Sequence, residues 1–205
     1  MSRALVDAVL VLGLAVVVVR RRSTAIAILG AQSLALGIAA LSLGDGRAGS
    51  DVVAGVVLLS KAVVLPLLLY ALMRATREAR PVLAANAPLT RLAGAGAVAL
   101  CAAWLTPRLG VGSASTERAA LAVVLIGITI VVTRRPILFQ LIGLIVAENG
   151  VALLAVSVPG GLSYVVDLGA LFDLAVVVAV AAAFATRIHT ELGTGDTELL
   201  RGLRD

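Results

Sequence analysis

The chain consists of long apolar runs separated by short polar segments. A helix needs about 20 apolar residues to cross the roughly 30 Å hydrocarbon layer of a membrane. Turn-forming residues break the chain at 44–50, 107–116 and 159–163. The pattern therefore predicts an all-α, polytopic membrane protein with about seven transmembrane helices. The runs are 4–19, 24–43, 52–73, 89–106, 118–133, 136–157 and 165–186.

Composition favours lipid as the solvent of this chain. Hydrophobic residues make up 60% of it and charged residues 14%, whereas soluble domains are about 45–50% apolar. Aromatic residues, at 3%, are too few to stack on bases, so we expect no nucleic-acid partner. The single Cys101 excludes an internal disulfide and a cysteine-held metal cluster. We expect a multi-pass protein of the cell membrane with no cofactor and no catalytic site of its own.

The distribution of arginine predicts the orientation, because cytoplasmic loops of membrane proteins are enriched in positive charge. If the amino terminus lies outside, the cytoplasmic segments receive three times as many arginines as the outer ones. The sequence therefore predicts an outside amino terminus and an inside carboxyl terminus. The cytoplasmic arginines are then Arg20, Arg21, Arg22, Arg74, Arg77, Arg80, Arg91, Arg134, Arg135, Arg187, Arg201 and Arg204.

An internal repeat is also predicted. One constant shift along the chain places Arg21-Arg22 on Arg134-Arg135, Gly30 on Gly143 and Gly37 on Gly150. Three helices reverse the direction of a chain, so a linking helix must restore it before a parallel second copy begins. The result is a parallel 3+1+3 arrangement. Its units are a first repeat at 1–80, a linking helix at 81–113, a second repeat at 114–190 and a cytoplasmic tail at 191–205.

Three ionisable residues fall near the middle of an apolar run and are the main functional candidates. Lys61, Glu148 and Asp173 each lie near the middle of a run, where a charge costs roughly 2.5–3.5 kcal/mol on insertion scales. We expect all three at about one depth, in one cavity, as parts of a proton path. An ion pair that only holds helices together is the alternative.

Other polar residues are expected to extend this path. Gln32 lies in the second run, and Asn149, next to Glu148, can form a hydrogen bond between helices. Asp167 lies at the outer end of the last run. Together with the three charged residues, these complete the predicted proton path.

Proline and glycine predict local backbone features. Pro66 removes the helix hydrogen bond to the Ala62 carbonyl and should bend the third helix beside Lys61. Glycines in membrane helices commonly mark close helix packing. This interpretation applies to Gly94, Gly96, Gly127 and Gly143.

Five short segments, in order and at comparable spacing, resemble the hydrogenase-4 component E family, which is a membrane component of hydrogenase-4-type complexes. The resemblance covers nearly the whole chain. Asp167 departs from that family, where a glutamate is expected. The segments are Ala31-Gln32-Ser33-Leu34, Ser60-Lys61-Ala62 with Pro66 following, Glu148-Asn149-Gly150, Asp167-Leu168-Gly169 through Phe172-Asp173, and Gly193-Thr194-Gly195-Asp196-Thr197.

The second half also resembles the small three-helix proton-path membrane subunit of respiratory complex I. The similarity lies in the segment that begins at Thr133-Arg134-Arg135 and ends at Ile142-Gly143-Leu144. That family carries its key glutamate at the position of Ile145, so Glu148 lies about one helical turn further along.

These resemblances imply a non-catalytic subunit in the membrane arm of a hydrogenase-4-like, complex I-related assembly. The implied partners are antiporter-like membrane subunits and peripheral metal-bearing redox subunits, with the electron chemistry on the latter. The main alternative is a small subunit of a multi-subunit cation/proton antiporter. A solute transporter with 3+1+3 topology is a further alternative, disfavoured by the charges at mid-membrane.

Overall fold

The computed structural model describes residues 3–42, 50–75, 88–105, 113–134 and 136–157, together with Ala179 and Ala183. Within these residues the chain forms six α-helices. The predicted all-α class is therefore confirmed for this part of the chain. The helices are α1 (Arg3–Val18), α2 (Arg22–Ser42), α3 (Ser50–Ala75), α4 (Pro88–Leu105), α5 (Ala114–Thr133) and α6 (Ile137–Ser157).

Six of the seven predicted apolar runs are helices whose ends agree with the sequence to within a few residues. The seventh run, 165–186, lies outside the described residues except for Ala179 and Ala183, which are both helical. The predicted tail at 191–205 is also outside them.

Four of the described helices are long and apolar enough to cross a membrane, which indicates a multi-pass membrane protein. Helix α1 is shorter, with 16 residues, and α4 contains a shorter apolar segment, Leu92–Cys101, among its described residues. The four segments are Arg22–Leu41, Val56–Arg74, Ala114–Thr133 and Ile137–Val156.

The described helices place large apolar side chains outside and several polar ones inside. Leu67, Leu100 and Val132 are strongly exposed, whereas Gln32 and Asn149 are completely buried. A protein dissolved in water would gain stability by the opposite arrangement. The distribution is that of a bundle surrounded by lipid, with a polar interior.

The bundle is organised around two long helix pairs. Helix α5 packs along α6, and α2 packs along α3. Helix α1 contacts α2, α4 and α5, while α2 also contacts α6. This arrangement brings α2, α3 and α6 together, and these helices carry the buried side chains of Gln32, Ser33, Lys61 and Asn149.

Glycine explains how closely α5 approaches α6. A Cβ atom at Gly143 would lie 2.8 Å from the Gly127 carbonyl oxygen, and one at Gly150 would lie 2.7 Å from the Val124 nitrogen. The predicted close packing is thus confirmed for Gly127 and Gly143. Within the part of the chain that the structure describes, it is not found for Gly94 and Gly96 on α4, where an added Cβ would meet nothing within 4 Å.

Helix α3 continues through Pro66, and α2 packs against it at this point. A Cβ at Gly30 would lie 3.2 Å from Cγ of Pro66 and 3.6 Å from the Ala62 carbonyl oxygen. Because proline has no N–H, that carbonyl lacks its usual helical donor. Gly30 therefore lets α2 approach the part of α3 that follows Lys61.

Candidate functional site

Lys61 on α3 and Glu148 on α6 form an ion pair between the two helices. The Lys61 side chain is only 2% exposed, and Glu148 is 24% exposed. Each residue lies within one of the apolar segments that are long enough to span a membrane. An ammonium group in such surroundings needs a partner of opposite charge, because the apolar interior cannot replace its hydration.

The pair accounts for two of the three charged residues that the sequence predicts at one depth. Their contact places Lys61 and Glu148 at a common level of the bundle. Asp173 lies outside the described residues, as does Asp167. Their place beside the ion pair therefore stays a prediction.

A second polar cluster joins α6 to α2, immediately after Glu148 in the chain. The Asn149 side-chain Nδ2 donates hydrogen bonds to Oε1 of Gln32, at 3.0 Å, and to Oγ of Ser33, at 3.1 Å. All three side chains are buried. The sequence prediction that Asn149 forms a hydrogen bond between helices is thus confirmed, and its partners include Gln32.

The cluster extends from α2 to α1. Nε2 of Gln32 donates to the Val9 carbonyl oxygen over 2.9 Å. The Gln32 amide fits there because α1 has a glycine opposite it: a Cβ at Gly13 would lie 3.2 Å from that Nε2 atom. Gly13 thus makes room for a polar side chain in the middle of the bundle.

Two consecutive residues of α6 therefore contact different helices. Successive side chains on a helix point about 100° apart, so Glu148 reaches α3 while Asn149 reaches α2. The result is an ion pair on one side of α6 and, next to it along the helix, a buried amide cluster that reaches Gln32 and the Val9 carbonyl. A carboxylate and an ammonium group can exchange protons, and the amide and hydroxyl groups can orient water molecules between such sites.

Arg134 is buried and contacts another helix. The sequence does not indicate this, because there Arg134 is one of many basic residues in the positive loops. Its Nη2 atom donates to the carbonyl oxygens of Val17 and Val19, in each case over 2.7 Å. Its guanidinium also lies 4.4 Å from the centre of the Phe139 ring. The last carbonyl groups of a helix have no intrahelical donors, so Arg134 caps α1 from the turn between α5 and α6.

The start of α5 contains a second feature that is absent from the sequence predictions. Glu117, in the first turn, is buried. Ser113 caps this turn, and its Oγ accepts a hydrogen bond from the Thr116 N–H over 3.3 Å. An acidic residue is favourable at this end of a helix because of the helix dipole.

Among the described residues, no group of three or more histidine, cysteine, aspartate or glutamate side chains could hold a metal ion. Cys101 on α4 is exposed.

Fold and site together define a helical, multi-pass membrane protein with a buried ion pair and a buried polar cluster in its interior. The chain is 33% identical, over 206 residues, to a Mycobacterium tuberculosis (strain ATCC 25618 / H37Rv) protein, Uncharacterized protein Rv0085. The similarity covers 96% of this chain and 93% of that protein, so the chain belongs to the same family. No family model matches the chain, and no solved structure matches it.

Proposed function

We propose that this protein is a non-catalytic subunit in the membrane arm of a hydrogenase-4-like, complex I-related assembly, where it provides part of a proton path. The observation that carries the proposal is the Lys61–Glu148 ion pair inside apolar helices. Titratable groups in membrane spans are rare and commonly mark ion or proton pathways.

In this path the carboxylate of Glu148 is the group that takes up and releases protons. Lys61 is enclosed, whereas a quarter of the Glu148 side chain is exposed. A proton that reaches this carboxylate changes the charge opposite Lys61, and the change favours transfer to or from the next titratable group. Asp173 is the proposed next group, with Asp167 closer to the outer surface.

The polar cluster favours a path over a purely structural ion pair. An ion pair that only joins α3 to α6 does not require the buried amides of Gln32 and Asn149 on its other side. Those groups extend the polar interior across α2 to α1. In a path they would hold ordered water beside the carboxylate.

The proposed topology has seven transmembrane helices in the cell membrane, with the amino terminus outside and the carboxyl terminus inside. The excess of arginine in alternate connections supports this orientation. Contacts between α1 and α5 and between α2 and α6 support the parallel 3+1+3 repeat, because corresponding helices meet when two copies pack around one axis. The copies differ in detail, since Arg21 is exposed and the aligned Arg134 is buried.

Identification of the neighbouring subunits tests this proposal. The chain, tagged at its carboxyl terminus, would be purified from its native membrane in a mild detergent, and the co-purifying proteins identified by mass spectrometry. We expect both antiporter-like membrane subunits and peripheral subunits with metal-binding sequences. Antiporter-like subunits without any metal-bearing subunit would instead assign the chain to a cation/proton antiporter, and purification of the chain alone would contradict both assignments.

A further inference from the structure

The turns α1–α2 and α5–α6 together form a basic end of the bundle. Arg134 joins them, because its guanidinium binds the carbonyl groups of Val17 and Val19. Beside this contact, Arg20 and Arg21 are exposed, and Arg22 is half-buried. Arg135 follows Arg134 in the sequence. The contact between the two turns thus places Arg134 at the end of α1, which Arg20, Arg21 and Arg22 follow in the chain.

No acidic residue accompanies these arginines in the flanking sequence. Residues 8–44 and 118–147 contain neither aspartate nor glutamate. The amino-terminal ends of α2 and α6, which lie at the same turns, add the partial positive charge of the helix dipole. No carboxylate of these two segments balances the charge of Arg20 and Arg21, so an anion outside the chain would be attracted to them.

Apolar side chains next to the arginines indicate the kind of anion. Val18 at the end of α1 and Val132 near the end of α5 are both exposed, within about one helical turn of Arg20 and Arg134. A soluble anion or an acidic protein surface would gain little from contact with these apolar side chains. A phospholipid presents a phosphate and acyl chains at this same short separation, at the boundary of the hydrocarbon layer.

We propose that the basic end, formed by Arg20, Arg21, Arg22 and the turn at Arg134, is a binding site for the headgroup of an anionic phospholipid. The exposed guanidinium groups of Arg20 and Arg21 bind the phosphate, and the acyl chains lie against Val18 and Val132. Arg134 positions the two turns relative to each other. The site is independent of the proposed proton path, because it lies at the end of α1 and α5 and not in the middle of the bundle.

Lipid retention by the purified protein tests this site. The protein, as it is extracted in mild detergent with any bound subunits, would be mixed with equal amounts of phosphatidylglycerol and phosphatidylcholine. Native mass spectrometry would then measure the ratio of the two lipids that stay bound. The double variant Arg20→Gln/Arg21→Gln would be compared with Arg3→Gln/Arg118→Gln, which removes two exposed arginines from the opposite ends of α1 and α5.

We expect the wild-type protein and the Arg3→Gln/Arg118→Gln control to prefer phosphatidylglycerol. In the Arg20→Gln/Arg21→Gln variant the preference should fall roughly tenfold or more, because each basic residue near an anionic surface contributes about 1 kcal/mol. The charge-preserving variant Arg20→Lys/Arg21→Lys should keep most of it and provides the comparison if the glutamine variant does not fold. Inorganic phosphate at millimolar concentration should not displace the lipid.

Three results would overturn the proposal. The first is an equal loss of preference in the Arg3→Gln/Arg118→Gln control, since net charge alone would then govern retention. The second is no preference for phosphatidylglycerol in the wild-type protein. The third is displacement by inorganic phosphate, which would identify a soluble phosphate site.

Discussion

Asn149 donates a 3.0 Å hydrogen bond to Gln32 and thereby joins α6 to α2 in the interior of the bundle. Buried amides of this kind fix the relative position of two helices, because few alternative partners exist in such surroundings. The residue before Asn149 is Glu148, which pairs with Lys61 on α3. The hydrogen bond to Gln32 therefore also fixes the part of α6 that presents the carboxylate.

Replacing Asn149 by leucine, which has a similar size, should destabilise the bundle. The change removes the donor to Gln32 and Ser33 and leaves their oxygens buried without that partner. We expect a loss of about 1–2 kcal/mol, as for other hydrogen bonds between membrane helices. The measurement is unfolding in mixed detergent micelles, followed by circular dichroism.

The matched partner variant for this prediction is Gln32→Leu. Because both residues belong to one cluster, the double variant Gln32→Leu/Asn149→Leu should be more stable than the sum of the single losses implies. Strictly additive losses would show that the two side chains do not interact, and would contradict the geometry.

Arg134→Gln should cost more stability than the same change at Arg74. Arg134 is buried and caps α1 with two hydrogen bonds, and a bond from a charged donor contributes about 1.5–3 kcal/mol. Arg74 also stacks on an aromatic ring, 4.7 Å from the centre of Tyr70, but it is exposed and binds within its own helix. Thermal unfolding in detergent should show a loss of about 2 kcal/mol or more for Arg134→Gln and little change for Arg74→Gln. Equal melting temperatures for the two variants would contradict the stabilisation of α1 by Arg134.

Gly143→Ala should separate α5 from α6. An added Cβ would lie 2.8 Å from the Gly127 carbonyl oxygen and 2.9 Å from the Val131 nitrogen, and backbone atoms cannot move away as a flexible side chain would. We expect destabilisation of about 1–3 kcal/mol, typical of overpacking. Gly94→Ala is the control, because nothing lies within 4 Å of its added Cβ and alanine is the better helix former. A tolerated Gly143→Ala, equal in stability to Gly94→Ala, would refute the close packing of α5 and α6.

The proposed orientation predicts which turns an impermeant thiol reagent reaches in intact cells. With Cys101 replaced by serine, a cysteine at Ser115 should react, because α5 would begin on the outer side. A cysteine at Ser23, at the start of α2, should be protected until the membrane is opened. Both serines are exposed in the fold, so burial does not account for a difference between them. Labelling of the Ser23→Cys variant but not of the Ser115→Cys variant in intact cells would indicate the opposite orientation.

Much of the fold follows from simple periodicity and length. The apolar runs at 24–43 and 136–157 agree closely with α2 and α6, since a membrane helix must satisfy its own backbone hydrogen bonds and cover about 30 Å with apolar side chains. The depth of a residue follows from its position in the run. Position alone therefore predicts one level for Lys61 and Glu148, and their ion pair agrees with that prediction.

Contacts between helices follow much less from the sequence, because they depend on the rotation of each helix about its axis. In the sequence Arg134 is one basic residue among many near the helix ends, and only the contact of two turns shows that it caps α1. Gly94 and Gly127 look alike as residues within apolar runs, yet only Gly127 lies at a close crossing. The partner of Gln32 depends in the same way on the crossing of α2 and α6.

The proposed proton path requires the carboxylate of Glu148 to carry protons, and the rate of proton translocation by the complex carrying Glu148→Gln tests this requirement most directly. The rate would be measured in membrane vesicles, after co-purification has shown that the complex assembles. Asp7→Asn is the control, because it makes the corresponding change in an exposed carboxylate near the start of α1.

We predict that the assembled Glu148→Gln complex loses translocation by at least about tenfold, since glutamine keeps the size and hydrogen bonds of glutamate but cannot exchange a proton. Asp7→Asn should translocate as the wild type does. The double variant Lys61→Met/Glu148→Gln, which leaves no unpaired buried charge, should assemble and stay inactive. Wild-type translocation by an assembled Glu148→Gln complex, or by the double variant, would contradict the proton path and leave Lys61 and Glu148 as a structural ion pair.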